Sequence, residues 1–531
     1  MFRRKEIKKY KVDNAIILAA GMSSRFLPLS YERPKGLLVV KGERLIERQI
    51  RQLKEAGIDD ITVVVGYLKE QFFYLEEKFG VNIVVNEDYY RYNNTSSLMC
   101  VADKLTNTYI CSSDNYFTEN VFEKYVEKSY YSTVFADGKT DEYCLSFNND
   151  GLITNVNIGG EKQWYMLGHV YFDRDFSKKF VEILKEEYKK QITKEELWEN
   201  MYMRHIEELP LYIKKYADGI IYEFDSLKEL QAFDDSYLAN SNSKILTIIC
   251  DALMCNIHDI KNISILKTGM TNKSFCFTCN DKKYIMRLPG KGTSNLINRK
   301  NEFENYNTIS KLNISDQIKY INPENGYKIT EFISDTRVCD PFNNDDLFLC
   351  MKKLREFHEM NLKVKHKFDL FKQIEFYESL WTGNTSVYND YRDVKERVFK
   401  LQNYITRNIQ TITFTHIDAV PDNFLIKNDN VYLIDWEYAG MQDPHLDIAM
   451  FCVYAGYDKK QIDNLIDIYF ENNCPRSIRI KVYCYIAASG LLWSNWCEYK
   501  QLLGVNFGEY ASNQYKYAKE YSLLSMQYIN S

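Results

Sequence analysis

The stretch Ile412–Asp447, ITFTHIDAVPDNFLIKNDNVYLIDWEYAGMQDPHLD, constrains the chain most. Two short apolar runs, Ile412–Thr415 and Val431–Ile434, read as strands flanking a polar loop, and each delivers an aspartate at its end. Phosphoryl transfer leaves a protein little covalent chemistry. It needs a carboxylate to orient the attacking hydroxyl, and oxygen ligands for the magnesium ions that neutralise the phosphates. His416-x-Asp418-x-x-x-x-Asn423 offers Asp418 as the base and Asn423 as a metal ligand, and Asp435 follows the next strand as a second metal-binding acid. One aspartate in a turn is usually only solvated, but three matched positions around a strand describe a site.

The spacing is that of the kinase catalytic loop, H-x-D-x-x-x-x-N. The region resembles the choline/ethanolamine kinases and the aminoglycoside phosphotransferases, small-molecule kinases with the protein-kinase fold. Asp435-Trp436-Glu437 stands where protein kinases have D-F-G and looks more like the choline kinase form. The resemblance covers about Leu246 to Tyr528 and implies an α+β, two-lobed domain. It implies that the turn containing Thr271 and Asn272 covers the nucleotide phosphates. Arg287, in the strand Lys283–Leu288, would bind phosphate, with Glu302 from the following helix as its salt-bridge partner. Asp447, which closes the run Gly440-Met-Gln-Asp443-Pro-His-Leu-Asp447, would brace the core. Trp493 and Trp496 share a helical face at i, i+3. With Trp436, Glu437 and Tyr438 they could cage a trimethylammonium group, which is held by aromatic faces, although tryptophans at this spacing are more often core.

In the first half, Asn14–Ala20 reads as a buried parallel strand opening into Gly21-Met-Ser23-Ser24-Arg25-Phe-Leu-Pro28. Such a turn lets backbone N–H groups approach phosphate. With Arg33-Pro34-Lys35-Gly36 it is similar to the opening of the sugar-nucleotide pyrophosphorylase and small-molecule cytidylyltransferase superfamily, except that Ser23 stands where a second glycine is frequent. Apolar strands at Ile61–Val65 and Val81–Val85 alternate with helical segments at Leu45–Ala56 and Lys69–Phe79, which predicts a doubly wound, mostly parallel, Rossmann-like α/β sheet. The resemblance spans roughly Asp13 to Phe233 and is strongest to CTP:phosphocholine cytidylyltransferases. It implies nucleotide binding at Ala19, Ala20, Gly21, Ser23 and Ser24, catalysis by Lys35 and Arg25, and Mg²⁺ ligation by Asp114, Glu223 and Asp225. Lys162 would touch phosphate, and Trp164, Tyr171 and Trp198 would wall a quaternary ammonium group, each against the alternative of simple packing.

At 531 residues the chain exceeds one ordinary core. The organisation expected is a nucleotidyltransferase domain over 1–236, a linker over 237–244 carrying Asn-Ser-Asn-Ser, and a kinase-like domain over 245–531. A net charge of −5 offers no footprint for nucleic acid. No apolar run has signal-peptide or membrane-spanning form, and the thirteen cysteines lack regular spacing, so a cytoplasmic protein with reduced thiols and no membrane partner is expected. The C-x-x-C of Cys276 and Cys279 lies in an apparent strand, where residues three apart face opposite ways, which makes zinc improbable.

The two halves explain each other. A Mg²⁺-dependent kinase making phosphocholine from choline and ATP would feed a Mg²⁺-dependent transferase using CTP. Ethanolamine or a sugar as the cargo, or a nucleotide-binding regulator with one inactive half, are the alternatives.

Overall fold

The computed structural model describes residues 9–239, 243–266, 272–290, 293, 296–383, 385–503, 505 and 507–531. The chain forms two compact units, Met1–Ile248 and Ile249–Ser531.

In the first unit the elements follow as β1 (Asn14–Ala19), α1 (Leu45–Glu55), β2 (Ile61–Val65), β3 (Asn82–Val85), α2 (Asn94–Met99), β4 (Thr108–Ser112), β5 (Asn115–Phe117), β6 (Tyr130–Phe147), β7 (Ile153–Phe172), α3 (Arg174–Glu187), α4 (Trp198–Arg204), β8 (Tyr212–Lys215), β9 (Ile221–Glu223), α5 (Leu227–Phe233) and α6 (Lys244–Leu253). Seven strands make one sheet in the order β8-β6-β7-β4-β1-β2-β3. The strands β4, β1, β2 and β3 run parallel. Alternation along β1 sorts its side chains. Ala15, Ile17 and Ala19 pack with Ile46, Ile50 and Leu53 of α1, whereas Ile16 packs with Leu98, Phe180 and Trp198 of α2, α3 and α4. Two apolar faces require helices on both sides, so this half is the doubly wound nucleotidyltransferase fold. The long β6–β7 hairpin runs on past the sheet with several register shifts, a feature the short apolar runs of the sequence do not announce.

The second unit opens with β10 (Lys261–Ile265), β11 (Asn272–Cys279), β12 (Lys282–Pro289), α7 (Arg299–Ile309), β13 (Ile318–Ile321) and β14 (Lys328–Glu331), followed by α8 (Asn344–Glu359). The five strands form an antiparallel sheet, ordered β10-β11-β12-β14-β13. Then come β15 (Thr413–Thr415), β16 (Phe424–Lys427), β17 (Asn430–Leu433), β18 (Gly440–Gln442), α9 (His445–Ala455), α10 (Arg476–Leu502) and α11 (Glu509–Asn530). A small antiparallel sheet followed by a mainly helical portion is the kinase-like fold. The stretch expected to be wholly loop between β15 and β17 contains a strand. Phe424 and Ile426 of β16 alternate inward and join Val431 and Leu433 in the core.

Cys276 and Cys279 do lie in one strand, and all thirteen cysteines are free thiols. Among the described residues no helix is long and apolar enough to cross a membrane.

Candidate active sites

In the first unit, β1 ends in a turn where Ser23 takes the left-handed conformation, φ 48°. Beyond it, Pro34 fixes the entry to a short helical turn, Lys35–Leu37, that carries Lys35. The turn lies against the end of β4, so closely that a Cβ on Gly36 would stand 2.8 Å from Cβ of Ser113. Only glycine permits this approach. The consequence is a buried ion pair, Lys35 Nζ to Asp114 Oδ2 at 2.8 Å, with Lys35 only 7% exposed. Burial alone would depress the Lys35 ammonium, but Asp114, Glu223 and Asp225 hold it above its usual value. Glu223, delivered by β9 beside β5, accepts from Asn115 Nδ2 at 3.3 Å. Burial first and Asp114 second push its carboxyl up to about 8. Asp114 Oδ1 is buried without a hydrogen-bond partner. A buried, unpartnered carboxylate oxygen beside a second acid fits a divalent cation.

These groups line a cleft of about 600 Å³, along with Ala19, Ala20, Gly21 and Ser23. Tyr131, Glu142, Tyr143, Trp198 and Glu199 line the same cleft. Trp198 stacks on Tyr131, with centroids 5.9 Å apart and planes at 11°. Tyr131 donates to Glu199 Oε1 at 3.0 Å, while Glu199 Oε2 is buried with no partner. Burial pushes the Glu199 carboxyl up to about 7, against the hydrogen bond from Tyr131. One cleft therefore holds the Lys35 cluster together with aromatic rings and a buried carboxyl.

In the second unit, β15 leads into the loop bearing Asp418, and Asp447 of α9 fixes that loop. Its carboxylate accepts from His416 N at 3.0 Å, Ile417 N at 2.7 Å and His358 Nε2 at 3.0 Å. The bonds hold Ile417 at φ 71°, a conformation that β-branched residues adopt only under constraint. Asn423 donates through Nδ2 to Asp418 O at 2.8 Å and Asp418 Oδ2 at 3.1 Å, which leaves its amide oxygen for a cation. Burial, then Asp435 and Glu437, raise the Asp418 carboxyl well above the usual range. Acids crowded together in this way suit a cation between them.

Arg287 of β12 organises the other acids. Its Nη1 reaches Asp435 Oδ1 at 3.1 Å and Glu437 Oε2 at 3.0 Å, and its Nη2 pairs with Glu302. Arg299 adds 2.8 Å to Glu302 and 3.5 Å to Glu437. Lys328, opposite Arg287 in the sheet register, lies 3.8 Å from Asp435. Glu302, Asp435 and Glu437 have ligand atoms within 4.8 Å of one another. The Arg287 fork already engages all three, which leaves Asn423 and the exposed side of Asp435, beside Asp418, as the groups that could hold a metal. Burial would raise the Asp435 carboxyl, but Lys328 and Arg287 lower it.

The MobA-like NTP transferase domain family matches residues 15–149, and the choline/ethanolamine kinase family matches residues 263–485. A choline-phosphate cytidylyltransferase of Streptococcus pneumoniae is 36% identical over 228 residues, covering 43% of this chain and 99% of its own. A 2-aminoethylphosphonate cytidylyltransferase of Lancefieldella rimae is 37% identical over 229 residues, covering 42% of this chain and 93% of its own. The chain belongs to the NTP transferase family in its first half and is similar to the choline/ethanolamine kinases in its second. The crystal structure of a choline kinase from Streptococcus pneumoniae is 28% identical, covers 53% of this chain and 100% of its own, and has a TM-score of 0.47.

In the transferase half the structure gathers Lys35, Asp114 and Glu223 and leaves other expected residues aside. Arg25 and Asp225 pair with each other at 3.1 Å outside the cleft lining, Arg25 exposed and Asp225 half-buried, with the Asp225 charge still felt at Lys35 and Glu223. Ser24 starts a short helical turn and also lies off the lining. Tyr171 is core, not a cage wall: it is fully buried and packs edge-on against Tyr109. Trp164 and Lys162 lie on the far reach of β7, where Trp164 meets Phe135 and the Lys215 ammonium and Lys162 is exposed at φ 53°. The register shifts of that hairpin carry both away from the cleft. Trp198 does reach the cleft. Its neighbours there, Tyr131, Tyr143 and Glu199, are residues that reading along the sequence passes over.

In the kinase half Trp436 is core. It is fully buried, its indole N–H donates to Leu433 O at 2.8 Å and Ser315 Oγ at 3.1 Å, and Phe357 and Phe414 cover it. Arg287, Arg299 and Asn272 all meet Glu437 at Oε2, so that oxygen is taken up by the arginine network. Asn272 thus holds an acid in this state, and Thr271 lies outside the described residues. Trp493 meets Tyr438 edge-on at 5.9 Å and Trp496 at 5.8 Å, both tryptophans being largely buried. At Tyr438 the charge of Glu437 is felt ahead of that of Asp418, while Asp418 is also felt at Tyr454, after Asp422, and at Tyr510. Lys328 and Arg299 were the missed members. A lysine opening an apolar strand, in register with Arg287, was the available signal.

Proposed function

We propose that the kinase half transfers the γ-phosphoryl of ATP to choline and that the transferase half then joins phosphocholine to CMP from CTP, releasing pyrophosphate and giving CDP-choline for decoration of surface polymers. The observation that carries this reading is that Lys35 and Glu199, the latter among aromatic rings, line one transferase cleft. An acceptor with an anionic phosphate and an organic cation needs both kinds of partner at once. Lys35 would steady the phosphates while an acceptor phosphate oxygen attacks the α-phosphorus of CTP. In the kinase half, Asp418 would take the proton of the attacking hydroxyl, and Arg287 would meet the ATP phosphates once nucleotide displaces part of its acid network. Asp114 with Glu223, and Asn423 with Asp435, would hold Mg²⁺, which neutralises triphosphate charge.

Two variants test the division of labour. Asp418→Asn should abolish ATP-dependent choline phosphorylation and leave CTP use intact, and Lys35→Ala should do the reverse. Loss of both activities from a folded single variant would count against independent sites.

A second reading has an observation of its own. Glu199 Oε2 has no partner of full hydrogen-bond geometry, although the Asn94 side chain also faces this carboxyl, and a primary ammonium can donate to it whereas a trimethylammonium cannot. An aminoethyl phosphate or phosphonate would use that oxygen. Steady-state kinetics on phosphocholine against phosphoethanolamine and 2-aminoethylphosphonate decide between them.

A further inference from the structure

The residues beyond α5 read as a spacer in the sequence, yet the described part of them grips the catalytic-lysine turn from both sides. Upstream of Lys35, Glu32 ends a short helix, Leu29–Glu32, and its Oε1 accepts from Ile245 N at 2.8 Å, in the first turn of α6. The Lys244 N–H and the Ser243 hydroxyl also face this carboxylate. Ser243 caps α6, its Oγ accepting from Leu246 N at 3.1 Å. A carboxylate at a helix N-terminus meets unsatisfied N–H donors and the positive end of the helix dipole. Downstream of Lys35, Tyr237 OH donates to Val39 O at 2.7 Å, and Lys41 N donates to Asp234 Oδ2 at 2.6 Å. Asp234, Tyr237, Ser243, Ile245 and Leu246 are all buried.

We propose that Asp234–Tyr237 together with Ser243–Leu246 clamps the catalytic-lysine turn, and that Glu32 is a positioning residue through which the start of α6 sets where Lys35 stands. Lys35 must hold 2.8 Å to Asp114 on a neighbouring strand end. The turn that carries it is two-sided in its anchorage: Glu32 and Val39–Lys41 are both tied to these stretches. Releasing either tie frees the turn to shift, and displacements of about 1 Å at a catalytic group cost up to roughly a hundredfold in rate. The inference rests on the proposed role of Lys35 in CTP chemistry.

The test uses the full chain with Glu32→Ala, Tyr237→Phe and Glu32→Gln. The first two should raise the KM for CTP about tenfold in pyrophosphate release and speed amide hydrogen exchange over residues 33–41. Glu32→Gln keeps an acceptor for Ile245 N–H and should remain within about twofold of the parent. Choline phosphorylation by ATP should be unchanged in all three. A merely structural loss would lower kcat with KM unaltered, because it removes active molecules instead of moving Lys35. Unchanged KM, or unchanged exchange over 33–41, in both Glu32→Ala and Tyr237→Phe overturns the clamp. Should the parent chain release no pyrophosphate from CTP, the reading of Lys35 fails, and exchange over 33–41 alone then decides whether the clamp exists.

Discussion

Gly36→Ala is the sharpest perturbation of the transferase site, because the structure fixes what the added methyl meets. Its Cβ would lie 2.8 Å from both Cβ and Oγ of Ser113 and 3.1 Å from Ser113 O. Carbon contacts settle near 3.5 Å or beyond, so the two segments must part by about 0.7 Å. They are the segments that carry Lys35 and Asp114, whose 2.8 Å pair opens accordingly. Overpacking of this kind costs ~1–3 kcal/mol of stability. Misplacing a catalytic ammonium by most of an ångström should cost roughly 10- to 100-fold in kcat/KM for CTP. Pyrophosphate release reads the rate, differential scanning calorimetry reads the stability, and ATP-dependent phosphorylation by the same protein serves as the internal control. Ser113→Gly in the same chain removes both contacts at 2.8 Å, leaves the carbonyl oxygen at 3.1 Å and should recover part of the loss, a coupling that a double-mutant cycle measures. Transferase activity of Gly36→Ala within twofold of the parent would refute the argument that close approach of these segments builds the site.

Further outcomes follow from buried charge. Glu199 is pushed up to about 7 in the folded chain, above the ordinary 4.5. The folded state then keeps a proton that the unfolded state has lost, so stability falls as pH rises through this window and levels off above it. Glu199→Gln should gain stability over the parent as pH rises from 4.5 to 7, on the order of 3 kcal/mol at most, followed by urea melts at several pH values. A parent and variant with parallel pH profiles would contradict this. Lys481→Met leaves Asp443 buried without its 2.6 Å partner and should cost ~3–5 kcal/mol in the unfolding of the kinase half. Arg287→Lys replaces a fork that serves three acids with a single ammonium and should cut phosphorylation at least ~10-fold in steady-state assays without affecting CTP turnover.

What was legible in the sequence was contiguous. The β1 turn, the Pro34-Lys35-Gly36 step and the His416–Asn423 loop each concentrate their chemistry within a few residues, so both folds and the nuclei of both sites could be read directly. The aromatic assignments fared worse, for a physical reason. Trp164 and Tyr171 share a strand with residues near the cleft, but strand alternation and the shifted register of the β6–β7 hairpin point one outward and the other into the core. The ring that stacks on Trp198 comes from Tyr131 on β6, a neighbour only in space. Trp436 follows a catalytic aspartate and yet fills the core, since its indole N–H finds carbonyl and hydroxyl partners there. Lys328 went unread because a cation at the start of an apolar strand looks exposed until its register with Arg287 is known.

The most direct measurement is phosphorus NMR of the intact protein with choline, ATP, CTP and Mg²⁺ in one tube. The account expects a phosphomonoester resonance to rise first and then give way to the two coupled resonances of CDP-choline, with pyrophosphate appearing in equal amount. Accumulation of phosphocholine while CTP stays intact, or consumption of neither nucleotide, would contradict it.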